Sequence, residues 1–600
     1  MFKKLKYYKN ELSNFIQKLK ELFALLGPIK QLLVVILTAS FIVFTVSAIL
    51  GTSLGDTYTV FIDPPALPML TDKSPELFVA PFLMFSGIIA LSFVISVVSS
   101  GLERTIRDIR KGRLNYHGSE HTIIVHYNYK IEKILEELNL HHDTHNTMHD
   151  VVILLDDDSE IEHLQEHLKQ LNYDHLRIYI RYGDILDIQR YKDLSILTVR
   201  SLIILSDYKI DDLLKMHNDV MKILNLLYAY DEFKEYLQSE AKKFTPVKAI
   251  VEFYNTSSAQ ERKIFSEHVR LNTDNYFRAV YPKEIVSNIL NLSMLDLSYY
   301  RVWSELLSFA GYSLYFINPE NKFTSLTYRD VLLQHNDGLL IGISRKDKDG
   351  KTLLIFNKHD EIINENDWFI YIAKSKNSIE VSTTAISYEK AQDIQKIKNT
   401  NKQRILIIGT HQDILEQELF NKEKSLVNSL DPSTKELFSE EFFNRWLSKN
   451  SMSEIDIIII NLDVELSYRI ALNIKLAYAD SMAYIDRFIF AVQNDSMQDH
   501  IKALDIKNVI IPKHLVSMYM AQVSNQVSLI DVFNILFVKD GPEISFIEIH
   551  NLEHITDDVQ TLKASLIKNN MLYLGCENNN GEVIFEADDL SEAKKIIIFS

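Results

Sequence analysis

Two long uncharged stretches near the amino terminus dominate the hydrophobic pattern of the chain. The first runs from Gln31 to Gly51 and the second from Leu77 to Leu102. Because a helix needs about 20 apolar residues to cross the hydrocarbon core of a bilayer, both are predicted to be transmembrane spans, at 31–51 and 77–102. A cleaved signal peptide is the competing interpretation of the first stretch, but its apolar run is too long for one.

The connection between the spans, 52–76, is predicted to be a pore loop. Residues 58–62 are apolar and are followed by Pro64, Pro65 and Pro68, which cannot continue a helix. A re-entrant helix that ends in extended backbone has this pattern, and such backbone survives at membrane depth only where protein or water covers it. The alternative is a solvated turn between two anchoring helices.

Beyond residue 118 the pattern changes to short apolar strands that alternate with amphipathic helices. Strands are predicted at 121–127, 150–158, 176–184, 200–207 and 247–255, with a first helix at 131–138. A second series of strands is predicted at 403–410, 456–463, 487–495 and 507–514. Strands separated by helices indicate a doubly wound parallel sheet, so the fold class is a helical two-span membrane domain followed by two Rossmann-like α/β units.

Each α/β unit is followed by a β-rich stretch, which predicts a small appended lobe. The first lobe is predicted within 338–356 and 367–373, and the second within 571–585 and 594–600. The predicted organisation has six parts: a cytosolic amphipathic segment 1–30, the membrane domain 31–102, a linker 103–118, a first domain 119–385, a linker 386–402 and a second domain 403–600. This division agrees with the length of 600 residues, which is too great for one hydrophobic core.

The charges that flank the spans predict how the chain crosses the membrane. Segment 1–30 carries seven lysines and two glutamates, and the second span is followed by Arg104, Arg107, Arg110, Lys111 and Arg113. Basic residues are retained on the cytosolic side, so the amino terminus and the α/β domains are predicted to be cytosolic. The loop 52–76 then faces outward, and its excess of acidic residues would concentrate cations there.

Overall composition excludes several classes of function. The formal net charge is −17, and no Lys/Arg-rich face follows residue 114, so nucleic acid is not expected as a partner. The single cysteine, Cys576, excludes an internal disulfide framework and a thiolate metal cluster. No Ser-His-Asp, paired-carboxylate or phosphate-loop arrangement is present, so the chain is predicted not to be an enzyme.

NAD is a common ligand of doubly wound sheets, but the turns of this sequence do not suit it. The turn after the first strand of such a sheet needs the Gly-x-Gly-x-x-Gly pattern, so that the backbone can approach a pyrophosphate. The first unit instead has the bulky residues His126 and Tyr127 at this turn, and the second has a lone glycine, Gly409. NAD is therefore not expected in either unit.

Acidic residues at predicted strand ends are the candidate ligand site. Asp156, Asp157 and Asp158 end the second strand, and Asp184 ends the third. Carboxylates at this edge of a sheet can bind a divalent cation, with calcium the first candidate and Asp156, Asp158 and Asp184 as metal ligands, or a ribose. Solvated strand ends are the alternative. The histidines at 141, 142, 145 and 149 fit no standard ligand spacing and are interpreted as a polar loop.

Several segments, in this order along the chain, resemble the Castor and Pollux family of ion channels. They are the two spans with their apolar loop, the amphipathic exit 102–113, and the stretches 121–138, 181–207, 299–309, 404–414, 514–523 and 536–546. The resemblance implies a homotetrameric pore and a cytosolic gating ring of paired regulator-of-potassium-conductance (RCK) domains. It further implies control by a small ligand, commonly a divalent cation or a nucleotide.

The same resemblance implies roles for residues of the membrane domain. Asp63 best matches the acidic residue of the family's filter, and the filter candidates are Ile62, Asp63, Pro64, Pro65 and Ala66. The prolines depart from the family pattern, and the Thr-Val-Gly-Tyr-Gly filter of potassium channels is absent from the sequence. Gly87 matches a glycine of the family's inner helix, where it would be a hinge or a small residue for close helix packing.

The function predicted from sequence is a ligand-gated cation channel in the lipid bilayer, conducting a monovalent or divalent cation. One alternative is a membrane-anchored ligand-sensing regulatory subunit with a non-conducting pore domain, which the proline-rich loop favours. A second is a membrane-bound oxidoreductase, which the missing glycines disfavour.

Overall fold

The computed structural model describes most of the chain in two compact units, Met1–Leu114 and Asn115–Ser600. The described residues are 28–62, 76–159, 161–207, 213–240, 248–253, 259–273, 277–320, 322–334, 338–346, 352–379, 405–409, 427–430, 457–461, 464–477, 487–492, 495–537, 542–552 and 559–600. The division falls inside the segment 103–118 that was predicted as a linker. The predicted linker 386–402 lies outside the described residues.

The described part of the first unit consists of three helices: α1 (Pro28–Leu50), α2 (Leu54–Ile62) and α3 (Glu76–Arg110). By length and composition, α1 and α3 can each cross a membrane. Large apolar side chains such as Phe41, Phe44 and Phe82 are exposed on them. Such a surface needs lipid or protein as a neighbour, because soluble proteins rarely expose apolar patches of this size.

The short helix α2 is held against both long helices. Its residues Val60 and Phe61 are buried in a small core with Val43 and Val46 of α1 and Leu83 of α3. The turn before α2 is fixed by hydrogen bonds, since Ser47 Oγ donates to the carbonyl of Thr52 at 2.8 Å and the hydroxyls of Thr52 and Thr57 lie 2.8 Å apart. A re-entrant helix was predicted for this loop, and a helix is present there.

Gly87 allows the end of α2 to touch α3. A methyl group at this position would overlap the carbonyl oxygen of Phe61, which is backbone and cannot easily move. Of the two interpretations of Gly87, this geometry supports the small residue for close helix packing. The hinge role stays a prediction.

Helix α3 continues beyond its apolar stretch and ends in a defined cap. Gly112 has the positive φ of +64° that favours glycine. Its N–H donates to the carbonyl of Ile109 at 3.0 Å, and the N–H of Arg113 donates to that of Asp108 at 2.8 Å. This pair of bonds is a Schellman motif, which satisfies carbonyls at the helix end. Residues 103–110, predicted as linker, therefore belong to α3.

The second unit begins with a six-stranded parallel sheet in the order β3-β2-β1-β4-β5-β6. Its strands are β1 (His121–Val125), β2 (His149–Leu155), β3 (Leu176–Tyr182), β4 (Val199–Ile204), β5 (Lys248–Glu252) and β6 (Phe277–Val280). The helices between them are α4 (Ile131–Thr144), α5 (Ile161–Gln170), α6 (Ile188–Asp193), α7 (Leu213–Tyr228), α8 (Asp231–Glu240) and α9 (Ala259–Thr273). Alternate strand residues are buried in two cores on opposite faces, which is why the strands read as continuous apolar runs.

A helix pair and an antiparallel lobe follow the first sheet. They consist of α10 (Pro282–Leu295), α11 (Ser298–Leu307), β7 (Ser313–Ile317), α12 (Tyr328–Gln334), β8 (Leu339–Lys346), β9 (Thr352–Phe356) and β10 (Trp368–Ala373). The four strands pair in the order β7-β10-β8-β9. This is the first of the two small lobes predicted from the sequence.

The second α/β domain repeats this plan in the residues that are described. A parallel sheet in the order β12-β11-β13-β14-β15 is followed by a lobe in the order β16-β19-β17-β18. Its strands are β11 (Ile405–Gly409), β12 (Val427–Leu430), β13 (Ile457–Asn461), β14 (Phe488–Ala491), β15 (Val509–Ile510), β16 (Ile544–Glu548), β17 (Leu572–Asn578), β18 (Val583–Phe585) and β19 (Ala593–Phe599). Its helices are α13 (Val464–Ala477), α14 (Asp495–Lys502), α15 (Pro512–Asn525), α16 (Leu529–Leu536) and α17 (Val559–Lys568).

Equivalent helix pairs join the two domains. Pro282 of α10 and Pro512 of α15 both occupy the start of a helix, where a missing N–H costs nothing and the fixed φ suits the helix. The core on one face of the first sheet continues through these helices. Trp303 of α11 lies with its ring centre 6.2 Å from that of Phe533 in α16 and 4.6 Å from that of Phe537. The domains are thus held together by buried aromatic packing.

The contact at Gly87 predicts the outcome of two alanine substitutions on one helix. Gly87→Ala should destabilise the membrane unit by about 1–3 kcal/mol, because the added methyl overlaps backbone. Gly101→Ala is the matched control, since nothing lies within 4 Å of a methyl group added there and alanine favours a helix. Thermal unfolding in mild detergent measures both. Equal melting temperatures for the two variants would contradict the packing role.

Candidate functional site

The reversal of strand order between β1 and β4 locates the candidate ligand crevice. In doubly wound sheets, ligands bind outside the carboxyl ends of the strands at this point. Among the described residues of the first domain, a group of polar side chains lies there. They are Asn128 and Lys130 after β1, Ser206 after β4, and Glu252 at the end of β5.

A buried ion pair lies at the centre of this crevice. Lys130 Nζ contacts Glu252 Oε1, and their side chains are only 1% and 0% exposed. Asn128 Nδ2 donates to the carbonyl of Ser206 at 3.2 Å and to Glu252 Oε2 at 3.4 Å. The N–H of Ser206 donates to the same Oε2 at 3.2 Å. Residues from three strand ends therefore form one hydrogen-bonded network, named here the crevice network: Asn128, Lys130, Ser206 and Glu252.

The stability of the crevice network depends on both the charge of Lys130 and the charge of Glu252. Burial lowers the pKa of Lys130, and the carboxylate of Glu252 acts against this shift. Removing either partner would leave a charge in a dry environment, which costs far more than removing both. The pair therefore holds the turn after β1 to the end of β5.

The turn after β1 takes a shape that usually requires glycine. His126 has a φ of +68°, its N–H donates to the carbonyl of Leu154 at 3.0 Å, and its Nδ1 lies 2.8 Å from the carbonyl oxygen of Leu205. The buried imidazole thus bonds to the strand neighbours of β1 and offsets the strain of this conformation. His126 was expected to obstruct a phosphate by its bulk, and the structure shows its imidazole buried beside the carbonyl of Leu205.

Sequence reasoning missed Lys130 and Glu252. One signal was present, since Glu252 directly follows the apolar run 249–251 of β5, and an acidic residue buried there must find a partner. The sequence does not say which cation that partner is, because Lys130 precedes Glu252 by more than a hundred positions.

The predicted acidic ligand site lies at the edge of the same sheet. The N–H of Gly183 donates to the carbonyl of Leu155 at 2.9 Å, so the segments that carry Asp156 and Asp184 run side by side. Both of these carboxylates are exposed, and Asp184 Oδ1 accepts from the N–H of Leu186 at 2.8 Å.

The remaining candidates, Asp157 and Asp158, follow on the same turn. Asp157 Oδ1 accepts from the N–H and the hydroxyl of Ser159, at 2.9 and 2.7 Å. Within the described ranges, no three His, Cys, Asp or Glu side chains form a group suited to a metal ion. Calcium binding by Asp156, Asp158 and Asp184 stays a prediction.

The histidine-rich segment contributes to the boundary between the domains. The rings of His142 and His149 stack with centres 4.4 Å apart. Asn525 of α15 donates from Nδ2 to His141 Nε2 at 2.9 Å, and its Oδ1 accepts from Arg200 Nη2 at 3.4 Å. One asparagine of the second domain thus contacts both α4 and β4 of the first.

Charged side chains reinforce this boundary on the other helices. Arg301 of α11 bonds to Glu577 Oε1 and, at 3.0 Å, to Asn508 Oδ1. Lys595 Nζ donates to Asp296 Oδ2 at 2.8 Å. The crevice also lies near this boundary, since Lys513 of α15 is 6.0 Å from the ring centre of Tyr129, the neighbour of Lys130. A change at the crevice therefore has a direct structural route to the domain boundary.

His359 occupies the boundary between the two antiparallel lobes. Its Nε2 lies 2.8 Å from Asn357 Oδ1, and Arg329 Nε donates to its Nδ1 at 3.4 Å. Asn357 and Arg329 in turn bond to Asn570 of the second lobe at 2.9 and 3.0 Å. Burial, and then the positive charge of Arg329, lower the pKa of His359 to about 4.

The predicted filter lies mostly outside the described residues. Ile62 is the last residue of α2, and its side chain is 54% exposed. Asp63, Pro64, Pro65 and Ala66 fall in a stretch that the structure does not describe. The geometry therefore places the start of the predicted filter at the end of the helix packed against Gly87.

Comparison with known proteins supports the resemblance drawn from the sequence. Residues 283–389 match the family described as Castor and Pollux, part of voltage-gated ion channel. This segment comprises most of α10 and the whole first lobe. No curated protein matches the chain by sequence.

Solved structures identify the fold of the second unit. The human SLO3 gating ring is 11% identical, with a TM-score of 0.54, and the match covers 80% of this chain and 99% of that chain. The fold is therefore that of paired RCK domains in a channel gating ring. The GsuK channel bound to NAD is 13% identical over 97% of both chains, with a TM-score of 0.42, which is too low to support a conclusion here. The chain is therefore similar to an ion-channel family over 283–389, and its first unit has two helices that are long and apolar enough to cross a membrane.

The crevice network predicts a large effect of removing one charge. Lys130→Met should destabilise the second unit by about 3–5 kcal/mol, because the buried carboxylate of Glu252 loses the opposite charge of Lys130. The double variant Lys130→Met with Glu252→Leu should recover most of this loss. Urea unfolding of the full chain, followed by its three tryptophans, all of which lie in the second unit, reports the change.

An exposed ion pair of the same domain is the matched control. Lys222 Nζ bonds to Asp219 Oδ1 at 2.6 Å, with the lysine side chain 58% exposed. Lys222→Met should change stability by less than about 1 kcal/mol. If Lys130→Met changes stability by no more than Lys222→Met, the buried pair contributes no more to stability than an exposed ion pair does.

The lowered pKa of His359 predicts a pH dependence with a definite sign. An unfolded histidine titrates near pH 6.5. Between about pH 6.5 and 4, the unfolded chain therefore binds a proton at His359 that the folded chain does not bind. Stability should fall as the pH drops through this window and stop falling, for this group, below pH 4. His359→Gln should flatten that slope, whereas His163→Gln, at an exposed site, should leave it unchanged. Identical slopes for wild type and His359→Gln would refute the assignment.

Proposed function

We propose that this chain is the subunit of a ligand-gated cation channel whose pore is controlled by the paired RCK domains. The observation that carries the proposal is α2, a short helix packed between two helices of membrane-spanning length. A helix that enters the membrane without crossing it serves to position a filter at its end. The channel-family match at 283–389 in the same chain supports this assignment.

A homotetramer is the proposed assembly. Two spans and one short helix cannot surround a water-filled path, and closed rotational symmetry around an axis is the common solution. The exposed apolar side chains of α1 and α3 supply surfaces for neighbouring subunits and for lipid. In the proposed topology, the basic residues that flank the spans keep the amino terminus and both RCK domains in the cytosol.

The proposed gating ligand is a divalent cation, with calcium first, at Asp156, Asp157, Asp158 and Asp184. These carboxylates lie beside the crevice, at the outer strands of the sheet. NAD is not proposed, because the turn after β1 has the bulky residues His126 and Tyr127 in place of the glycines that let a backbone approach a pyrophosphate. The proposed function requires no catalytic residue.

A second candidate function is a membrane-anchored ligand sensor with a non-conducting pore domain. Pro64, Pro65 and Pro68, which follow α2 closely in the sequence, favour it because they depart from the family's filter pattern. In that case the gating ring would regulate a partner protein rather than a pore in its own subunits.

Asp63→Asn provides the sharpest test between the two functions. In a tetramer Asp63 would form a ring of four carboxylates after α2, which attracts cations and repels anions. The amide keeps the shape and removes the charge, so cation conductance and cation-over-anion preference should both fall. Reversal potentials in a salt gradient measure the preference, and mass photometry in detergent shows whether the tetramer persists. Equal reversal potentials for wild type and variant would end the claim that Asp63 lines the ion path.

A further inference from the structure

The last turns of α3 extend beyond the part of the helix that a membrane can cover. The helix has 35 residues, which at 1.5 Å per residue is about 52 Å, whereas the hydrocarbon core is about 30 Å thick. Its uncharged stretch ends at Leu102. The turns that follow therefore leave the hydrocarbon at the level of the lipid headgroups.

Charge is concentrated in these turns. Residues 103–113 contain five basic and two acidic side chains, a net charge of +3 in a chain whose formal net charge is −17. Arg104 and Arg107 are both exposed, and neither forms an ion pair within the described part of the chain. Two guanidinium groups are thus available at the membrane surface.

The two kinds of side chain lie on different faces of the helix. Arg104, Arg107 and Lys111 follow one another at intervals of three and four residues, which places them on one face. Leu102, Ile106 and Ile109 share the opposite face and are 60%, 41% and 48% exposed. An apolar face beside a basic face is the pattern that binds at the boundary between acyl chains and headgroups.

The end of α3 is rigid enough to present these groups in a fixed arrangement. The two hydrogen bonds of the Schellman motif at Gly112 close the last turn, so Arg107 and Lys111 remain one helical turn apart. A planar guanidinium can donate two parallel N–H bonds to one phosphate, which suits arginine better than lysine for this ligand.

We propose that Arg104 and Arg107, with Lys111, bind the headgroup phosphates of anionic phospholipids in the leaflet that α3 leaves. The apolar face at Ile106 and Ile109 contacts the upper acyl chains or a neighbouring helix. Lipid charge thereby fixes the height and rotation of the helix that leads to the RCK domains. This inference goes beyond the proposed function, because it needs a membrane around α3 but not an ion current.

The test measures lipid binding to the full-length chain in neutral detergent. The protein is titrated with mixed micelles that contain phosphatidylserine or phosphatidylcholine, and with micelles of detergent alone. Native mass spectrometry measures the bound lipid. Phosphatidylserine should bind the wild type at least about tenfold more tightly than phosphatidylcholine, and Arg104→Gln with Arg107→Gln should remove most of this preference. Each basic residue near a charged membrane surface contributes roughly a fivefold change in affinity.

Two further variants keep the result interpretable. Arg104→Lys with Arg107→Lys retains charge and should keep a weaker preference, which also checks that the helix still folds. Lys502→Gln with Lys507→Gln removes two exposed charges from the second unit and should leave lipid binding unchanged. A preference that survives in the glutamine variant, or that the control abolishes, would overturn the proposal.

Soluble phosphate distinguishes a lipid site from a general anion site. Inorganic phosphate at millimolar concentration should not displace phosphatidylserine, because it lacks the acyl chains that the apolar face contacts. Displacement at that concentration would overturn the lipid assignment. The readout is independent of conduction, so a chain that binds lipid and carries no current would contradict the channel proposal and leave this one standing.

Discussion

The packing of α10 and α11 against α15 and α16 is the constraint on which the second unit depends. Trp303 is almost fully buried between the domains, and its removal from water there outweighs any single polar contact at the boundary. The polar contacts then set the register of the two domains. Arg301, Lys595 and Asn525 each bond across the boundary, so the domains can meet in only one arrangement. In the proposed function, a ligand that changes one domain would therefore act on the other.

The crevice network ties together the ends of β1, β4 and β5 at the point where the strand order of this sheet reverses. Lys130 and Glu252 place two opposite charges in contact there. Because the pair is buried, its geometry is as fixed as that of the strands that carry it. In the proposed function, ligand sensing is thereby moved outward, to the exposed carboxylates after β2 and β3. The contact between Tyr129, which follows β1, and Lys513 of α15 links the carboxyl-terminal ends of these strands to the second domain.

Helices and strands with a regular pattern of apolar residues were predictable from the sequence. Contacts between residues far apart along the chain were not. The apolar runs that form β1, β2 and β4, and the long apolar helices α1 and α3, each carry their own signal within about twenty residues. The helix α2 was predictable because residues 58–62 are apolar and prolines follow them. The sequence does not pair Lys130 with Glu252, since many side chains could satisfy either one. Likewise, the sequence allows two interpretations of Gly87, because the group that lies next to a glycine depends on how two helices cross. The carbonyl of Phe61 beside Gly87 favours the packing role.

Two helices of membrane-spanning length with a short helix packed between them occur in one chain with a gating-ring fold, and the proposal of conduction joins these two parts. Recording from the purified full-length protein in a planar bilayer, with calcium varied on the side of the RCK domains, tests it most directly. We expect discrete cation-selective current steps whose open probability changes with calcium. A correctly assembled tetramer that gives no steps at any calcium concentration would contradict the claim.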